Sequence, residues 1–271
     1  MSFDDLPPLR DSLAAAGLGA RKSFGQHFLL DLNVTRKIVR LAELTDGEAV
    51  IEVGPGPGGL TRALLEAGAR VVAIEADARF LPLLEALAAR ADGRLELRHA
   101  DALTVDPATL PAGASIVANL PYNVGTPLLI GWLTGILNPR AMTLMFQKEV
   151  ADRIAAPPGS EAYGRLSVLV QALCEAKVVM ELPARAFTPP PKVSSAVVRL
   201  TPKPDRPPAG LVDALQRVTA AAFGQRRKML RSSLRAFGGE AFCVQAGLDA
   251  THRAEELSVD DFLRLAASLP S

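Results

Sequence analysis

A chain of 271 residues that is 49% hydrophobic can bury a substantial core, either as one large domain or as two unequal ones. Its formal net charge of +1 gives no overall signal for a polyanion partner, so any basic surface must be local. Cys174 and Cys243 fit no metal or redox spacing, the first residues lack a signal-type apolar stretch, and no apolar run reaches membrane-spanning length, so a soluble, reduced, cytoplasmic protein is expected.

From about residue 30 to 150, short β-rich runs alternate with helical stretches. The runs 49–53, 70–74, 95–98, 115–118 and 142–146 read as strands, and 60–67 and 79–90 read as helices. This alternation predicts an α/β fold, a parallel sheet with helices on both faces. Two further strand-like runs, 176–182 and 194–201, have no long helix between them, which fits an antiparallel hairpin at the sheet edge. The stretch "TPKPDRPPAG", 201–210, is rich in proline and charge and reads as a linker. Beyond it the pattern is helical over 211–223, 226–237, 240–246 and 259–267, with Ser258 and Asp261 spaced as a capping box. The expected organisation is a domain over 1–200 and a small helical domain over 208–271.

"VIEVGPGPGGLTRALLEAGARVVAIEAD" ends a strand at Val53, turns through Gly54, Gly56, Gly58 and Gly59, and opens a helix near Leu60. Glycines permit positive φ and close approach of a ligand, and a helix start favours an anionic group. Glu75 closes the next strand 19 residues after Gly56, where a carboxylate can accept both hydroxyls of a ribose. The pattern alone fits a dinucleotide or another adenosine-bearing cofactor. It departs from the dinucleotide fingerprint by reading G-P-G-P-G-G; its two prolines stiffen the loop, and the E-V-G-P-G-x-G-x-L-T form resembles turns that bind S-adenosylmethionine. Asp101 adds a carboxylate at the same sheet edge, although alone it equally fits a loop acid or helix cap.

The fourth strand ends in "NLPY". Pro121 holds Leu120 extended, so the Leu120 carbonyl and the Asn119 side-chain oxygen are expected to act as two fixed acceptors, with Tyr122 as a stacking face. Two acceptors and a ring describe a clamp for a planar exocyclic amine such as adenine N6. Four such residues in isolation read as an Asn-capped turn; their position after the glycine turn, Glu75 and Asp101 favours the clamp.

"SFGQHFLLD" (23–31), "EVGPGPGGLT" (52–61), "IEAD" (74–77), "DAL" (101–103), "NLPYN" (119–123) and "FTPPPKVSSAVVRL" (187–200) occur in the order found in ribosomal RNA adenine N6-dimethyltransferases. Together with "AFGQRRKMLRSSL" (222–234), they make the chain resemble that family over residues 21 to about 237, most of all its bacterial small-subunit branch. The resemblance implies a Rossmann-like class I methyltransferase sheet with an antiparallel edge hairpin, plus a small all-helical C-terminal domain. It implies that His27, Leu29, Gly54, Glu75, Asp101 and Asn119 border S-adenosylmethionine. His27 stands where many members carry Asn, so its hydrogen bonding is expected to differ. Asn119 and Leu120 would clamp the amine, and Tyr122 and Phe187 would stack on the two faces of the target adenine. By itself, Phe187 reads as a core anchor.

Arg226, Arg227, Lys228, Arg231 and Arg235 form the clear basic concentration, with no acid between Asp213 and Glu240. Arg227, Arg231 and Arg235, spaced by four, would line one face of a helix and contact phosphates, with Leu230, Leu234 and Phe237 opposite; a solvated face is the plain alternative. Arg10, Arg21 and Lys22 would extend that surface. The implied reaction is dimethylation of two adjacent adenines near the 3′ end of 16S rRNA in an assembling small subunit, by a monomer without a metal. Three rivals stand beside it: a large-subunit rRNA methyltransferase, a binding protein monitoring ribosome assembly, and a nicotinamide-dependent oxidoreductase.

Overall fold

The computed structural model describes residue 3, residues 5–21 and residues 25–269. Lys22, Ser23 and Phe24 of the motifs above lie outside the described residues. The chain separates into two compact units: 1–151 with 178–200, and 152–177 with 201–271.

The first unit opens with α1 (Leu9–Ala15), a two-residue strand β1 (Phe28–Leu29) and α2 (Leu32–Ala42), whose N-terminus is capped by Asp31 accepting from the Asn33 N–H at 2.9 Å. Then β2 (Ala49–Val53), α3 (Gly59–Glu66), β3 (Arg70–Glu75), α4 (Leu81–Ala88), β4 (Leu95–His99), β5 (Ser115–Asn119), α5 (Gly125–Thr134) and β6 (Met142–Gln147) follow. The chain continues through α6 (Lys148–Ala155), α7 (Arg165–Leu173), β7 (Cys174–Leu182), β8 (Phe187–Thr188) and β9 (Ser195–Pro202).

Seven strands form one sheet in the order β4-β3-β2-β5-β6-β9-β7. The pairs from β4 to β6 are parallel, and β9 runs antiparallel to β6, from Met142 opposite Leu200 to Gln147 opposite Ser195. The seven expected strands are all present, and β7 with β9 occupies the edge. Apolar runs such as 71–74 and 115–118 are buried along their length because helices cover both faces of a parallel sheet. Strand order reverses between β2 and β5. The carboxyl ends of these two strands therefore frame the crevice in which open α/β sheets bind ligands.

One pairing has no counterpart in the expectation. β1 pairs antiparallel with β8, Phe28 opposite Thr188 and Leu29 opposite Phe187. Two-residue strands leave no periodic signal, so sequence reading misses them.

The second unit holds α8 (Ala209–Gly224), α9 (Leu230–Ser233), α10 (Glu240–Gln245) and α11 (Val259–Ala267), packed with 156–172 around Tyr163, Leu215, Val218, Leu230, Cys243, Phe262 and Leu265. The stretch 152–177 belongs here, whereas the sequence reading set it with the sheet. The capping box at α11 is present: Ser258 Oγ accepts from the Asp261 N–H at 3.1 Å, and Asp261 accepts from the Ser258 N–H at 2.8 Å.

The expected helix over 226–237 is not continuous, and this corrects the basic-stripe reading. α8 ends at Gly224, and Gln225 leaves helical geometry at φ −130° and ψ 60°. Arg226 then pairs with Glu255 at 2.7 Å and donates to the Glu161 carbonyl at 2.7 Å. Met229 forms a β-bridge to Arg253, and only 230–233 and 235–237 are helical. Helix propensity across "RRKMLRSSL" is overridden by these tertiary bonds. Arg227, Lys228, Arg231 and Arg235 remain exposed but do not share one helical face, while Leu230 and Leu234 are buried as expected.

Candidate functional site

Three segments of the first unit line a cavity at the crevice between β2 and β5: a strap over 25–29, the glycine turn after β2, and Asn119–Tyr122 after β5. His27, Leu29, Gly54, Asn119, Leu120 and Tyr122 are thus brought together.

The glycine turn is shaped for contact. Gly56 sits at φ +53°, and its N–H donates to Glu75 Oε2 at 2.9 Å. A Cβ at Gly59 would lie 2.8 Å from Leu9 Cδ1 and 2.9 Å from the Leu29 carbonyl, so only glycine lets the strap and α1 rest on the start of α3. Glu75 stands behind the turn and not on the cavity wall. Its second oxygen accepts from the Asp77 N–H at 2.8 Å. Burial pushes its carboxyl up, and the bonds from Asp77 and Gly56 pull it back.

Asn119 is anchored by its own side chain. Its Nδ2 donates to the His27 carbonyl at 3.2 Å, and among the described residues its Oδ1 accepts no hydrogen bond. The Leu120 carbonyl is likewise without a donor among the described residues. Two acceptors are therefore left for an outside N–H. Tyr122 is half-buried, its hydroxyl 2.7 Å from Ser195 Oγ and its ring stacked on His27 at 5.5 Å between centroids. Burial raises the Tyr122 phenol and Ser195 opposes that rise, so it stays neutral at physiological pH. His27 Nδ1 is 2.8 Å from the Pro189 carbonyl, which holds the loop after β8 to the strap.

Besides Glu75, two more expected residues stand away from the cavity wall. Phe187 is 3% exposed, packs in the core of the first unit and does not line the cavity, which differs from the stacking role expected for it. The register of β8 on β1, with Leu29 opposite Phe187, fixes it there. Asp101 is exposed and closes its own turn by accepting from the Leu103 N–H at 3.0 Å; it is not on the cavity wall.

Sequence reading missed Glu52. It lies in β2, is 1% exposed, lines the cavity, and its Oε2 has no hydrogen-bond partner among the described residues. Burial drives its carboxyl up to about 8; Thr61 beside it opposes the rise and Glu75 adds to it. The signal was a lone acid inside the apolar run "VIEV". A buried carboxyl with one oxygen unpartnered on a cavity wall calls for a cationic or donor group from outside. A ligand that carries a cation and an adenosine, held at a glycine turn, fits Glu52, Gly54 and Glu75.

A family model for ribosomal RNA adenine dimethylase matches residues 17–270. The chain belongs to that family. It is 65% identical over 268 residues to a ribosomal RNA small subunit methyltransferase A of Phenylobacterium zucineum, covering 98% of this chain and 94% of the relative. It is 69% identical over 248 residues to the protein of that name from Caulobacter vibrioides, covering 91% and 96%. Among solved structures it superposes on a dimethyladenosine transferase of Plasmodium falciparum with a TM-score of 0.76 at 26% identity, covering 88% of this chain and 96% of that one. It also superposes on the 23S rRNA methyltransferase ErmE with a TM-score of 0.70 at 27% identity, covering 89% and 99%. The fold is that of a class I methyltransferase, and the enzyme dimethylates adenine in ribosomal RNA with S-adenosylmethionine as methyl donor. No described helix is long and apolar enough to cross a membrane.

Proposed function

We propose that the enzyme converts two adjacent adenines in a loop near the 3′ end of small-subunit rRNA to N6,N6-dimethyladenine. We assign the amine clamp to Asn119 and Leu120. The observation that carries the clamp is the anchoring of Asn119 by the His27 carbonyl, with its oxygen and the Leu120 carbonyl on one cavity wall and unengaged by any described residue.

The chemistry follows from those groups. Adenine N6 is a poor nucleophile because its lone pair is delocalised into the ring. Two fixed acceptors out of the ring plane draw the N–H bonds towards them and return the lone pair for attack, an electrostatic effect that costs no reorganisation at the moment of reaction. S-adenosylmethionine, when bound, supplies an electrophilic methyl group on a sulfonium. Gly54, Glu52, Glu75, His27, Leu29 and Asn119 are the residues proposed to hold it, and Asp101, which stands off the cavity wall, is proposed as a further contact. Tyr122 offers its ring to the adenine, which must leave its stack to enter. Asn119 and Leu120 together must also accept a monomethylated amine, so one of the two acceptors goes unused in the second round.

The 65% and 69% identical relatives are named for the small subunit, while the 23S enzyme stands at 27%, and this supports the small-subunit target. In this reading the sheet unit carries the reaction and the basic residues of the helical unit, Arg226, Arg227, Lys228, Arg231 and Arg235, hold rRNA in an assembling cytoplasmic particle. The enzyme acts as a monomer. Incubation with under-methylated small subunits and S-adenosylmethionine, followed by mass-spectrometric mapping of nucleotides, tests the proposal.

A further inference from the structure

Gln26, next to His27 on the strap, is not part of the cavity chemistry described above, yet it is the best-connected side chain of that segment. Its Nε2 donates to Asp77 Oδ2 at 2.9 Å and its Oε1 accepts from the Arg21 N–H at 2.8 Å. Asp77 is 3% exposed. It caps the short turn Ala78–Phe80 by accepting from the Arg79 N–H at 3.2 Å, and takes the Arg79 Nε at 2.9 Å. Arg79 also donates to the Gly19 carbonyl at 3.2 Å, ahead of the strap.

Capping needs one oxygen of Asp77, and Arg79 neutralises its charge. Arg79 holds the second oxygen as well, Nη2 donating to Oδ2 at 2.5 Å and Nε at 3.1 Å, and its Nη2 reaches Gln26 Oε1 at 3.4 Å. The Gln26 amide adds a further donor to Oδ2 from a residue 51 positions away and so ties the strap to this ion pair. The backbone of Asp77 is tied to the acid behind the glycine turn, its N–H donating to Glu75 Oε1 at 2.8 Å. On the other side, the residue after Gln26 gives its carbonyl to Asn119 Nδ2. Glu75, Asp77, Gln26, His27 and Asn119 thus form an unbroken run of bonds from the acid behind the glycine turn to the clamp.

We propose that Gln26 and Asp77 are positioning residues, through which the loop bearing Glu75 sets the strap and, with it, the amide of Asn119. This rests on the reading of Asn119 as an amine acceptor. A shift of the strap by a fraction of an ångström changes where the Asn119 oxygen points, and transfer rates are sensitive to such displacements.

The test uses the full-length enzyme, under-methylated small subunits and single-turnover methylation, with melting temperature and calorimetric cofactor affinity measured on each variant. Gln26→Glu replaces the amide donor to Asp77 by a second carboxylate beside Arg79, and Asp77→Asn removes the charged acceptor shared by Gln26 and Arg79; each is expected to slow transfer roughly tenfold. The double variant restores one donor and one acceptor, and is expected to recover to within about threefold of the wild type. Gln26→Leu, which lacks donor and acceptor but keeps apolar bulk, covers the case in which the glutamate variant fails to fold. A double variant no better than either single one, or Gln26→Leu with an unchanged transfer rate, would overturn the coupling. A purely structural role lowers melting temperature and leaves the rate at permissive temperature intact, which also overturns it. Asn119→Ala serves as the control: slow transfer there with normal Gln26→Leu overturns the coupling alone, whereas normal transfer in Asn119→Ala overturns the clamp reading and the coupling with it.

Discussion

Asn119 is fixed from behind by His27, its Nδ2 donating 3.2 Å to that carbonyl, and no donor among the described residues reaches its oxygen. Replacing Asn119 by Ala is expected to slow methyl transfer on the order of 100-fold, the scale seen when one preorganised polar group is removed from a transition state. Cofactor affinity should change far less. Calorimetry and single-turnover rates separate the two; equal losses in both would mean that Asn119 serves the cofactor pocket.

Glu52 gives a pH dependence with a defined sign. Its carboxyl titrates near 8 in the fold because burial disfavours the charge. In the unfolded chain it ionises near the ordinary value of about 4.3, so between those limits the folded state binds more protons. Folded stability is therefore complete below the unfolded value and lost as pH rises through the window towards about 8. Glu75, also raised, acts with the same sign. The melting temperature of the ligand-free enzyme is expected to fall between pH 6 and pH 9, and Glu52→Gln is expected to flatten that fall. A profile identical in both proteins would contradict the assignment.

Glu48 behaves oppositely. Burial would raise it, but the Ser115 hydroxyl at 2.5 Å, the Thr45 N–H at 2.8 Å and Arg140 Nε at 2.8 Å hold it down to about 2. Its contribution is present above the unfolded value of about 4.3 and is lost as pH falls towards 2. Glu48→Gln is expected to cost about 1–3 kcal/mol at neutral pH, read by denaturant melts, with the gap narrowing below pH 4.

Phe187 separates packing from stacking. In the core it makes Phe187→Ala costly, by about 3–5 kcal/mol, while Phe187→Leu keeps most of the volume. The leucine variant is expected to retain transfer within a few-fold. Near-complete loss of transfer at an unchanged melting temperature would show that the ring meets the base.

On the helical unit, neutralising Arg227, Lys228 or Arg231 singly is expected to reduce the slope of log affinity against log salt by roughly 0.7–0.9 for each rRNA phosphate that the side chain had neutralised. Arg226 is tied to Glu255 and to the Glu161 carbonyl, so its loss should lower melting temperature as well. Salt-series filter binding with rRNA reads the first effect and thermal melts the second.

The sheet was legible in advance because its strands are apolar runs bounded by turn residues, and 49–53 is reproduced to the residue. Gly54, Asn119, Leu120 and Tyr122 were legible because each sits where a strand ends at the ligand edge. What escaped were features made by tertiary contact. The β1–β8 pair leaves no period, and the break at Gln225 depends on Glu255 and Arg253, far along the chain. Phe187 was drawn to the site by its motif, and the register opposite Leu29 placed it in the core. Glu52 passed as part of an apolar strand, although a charge there was the clearest anomaly in the run.

The most direct test remains the reaction itself. Purified enzyme, S-adenosylmethionine and under-methylated small subunits are incubated, and the rRNA is digested and mapped by mass spectrometry. The expected result is N6,N6-dimethyladenine at two adjacent positions near the 3′ end of the small-subunit rRNA. Its absence there, or its appearance in large-subunit rRNA instead, would contradict the account.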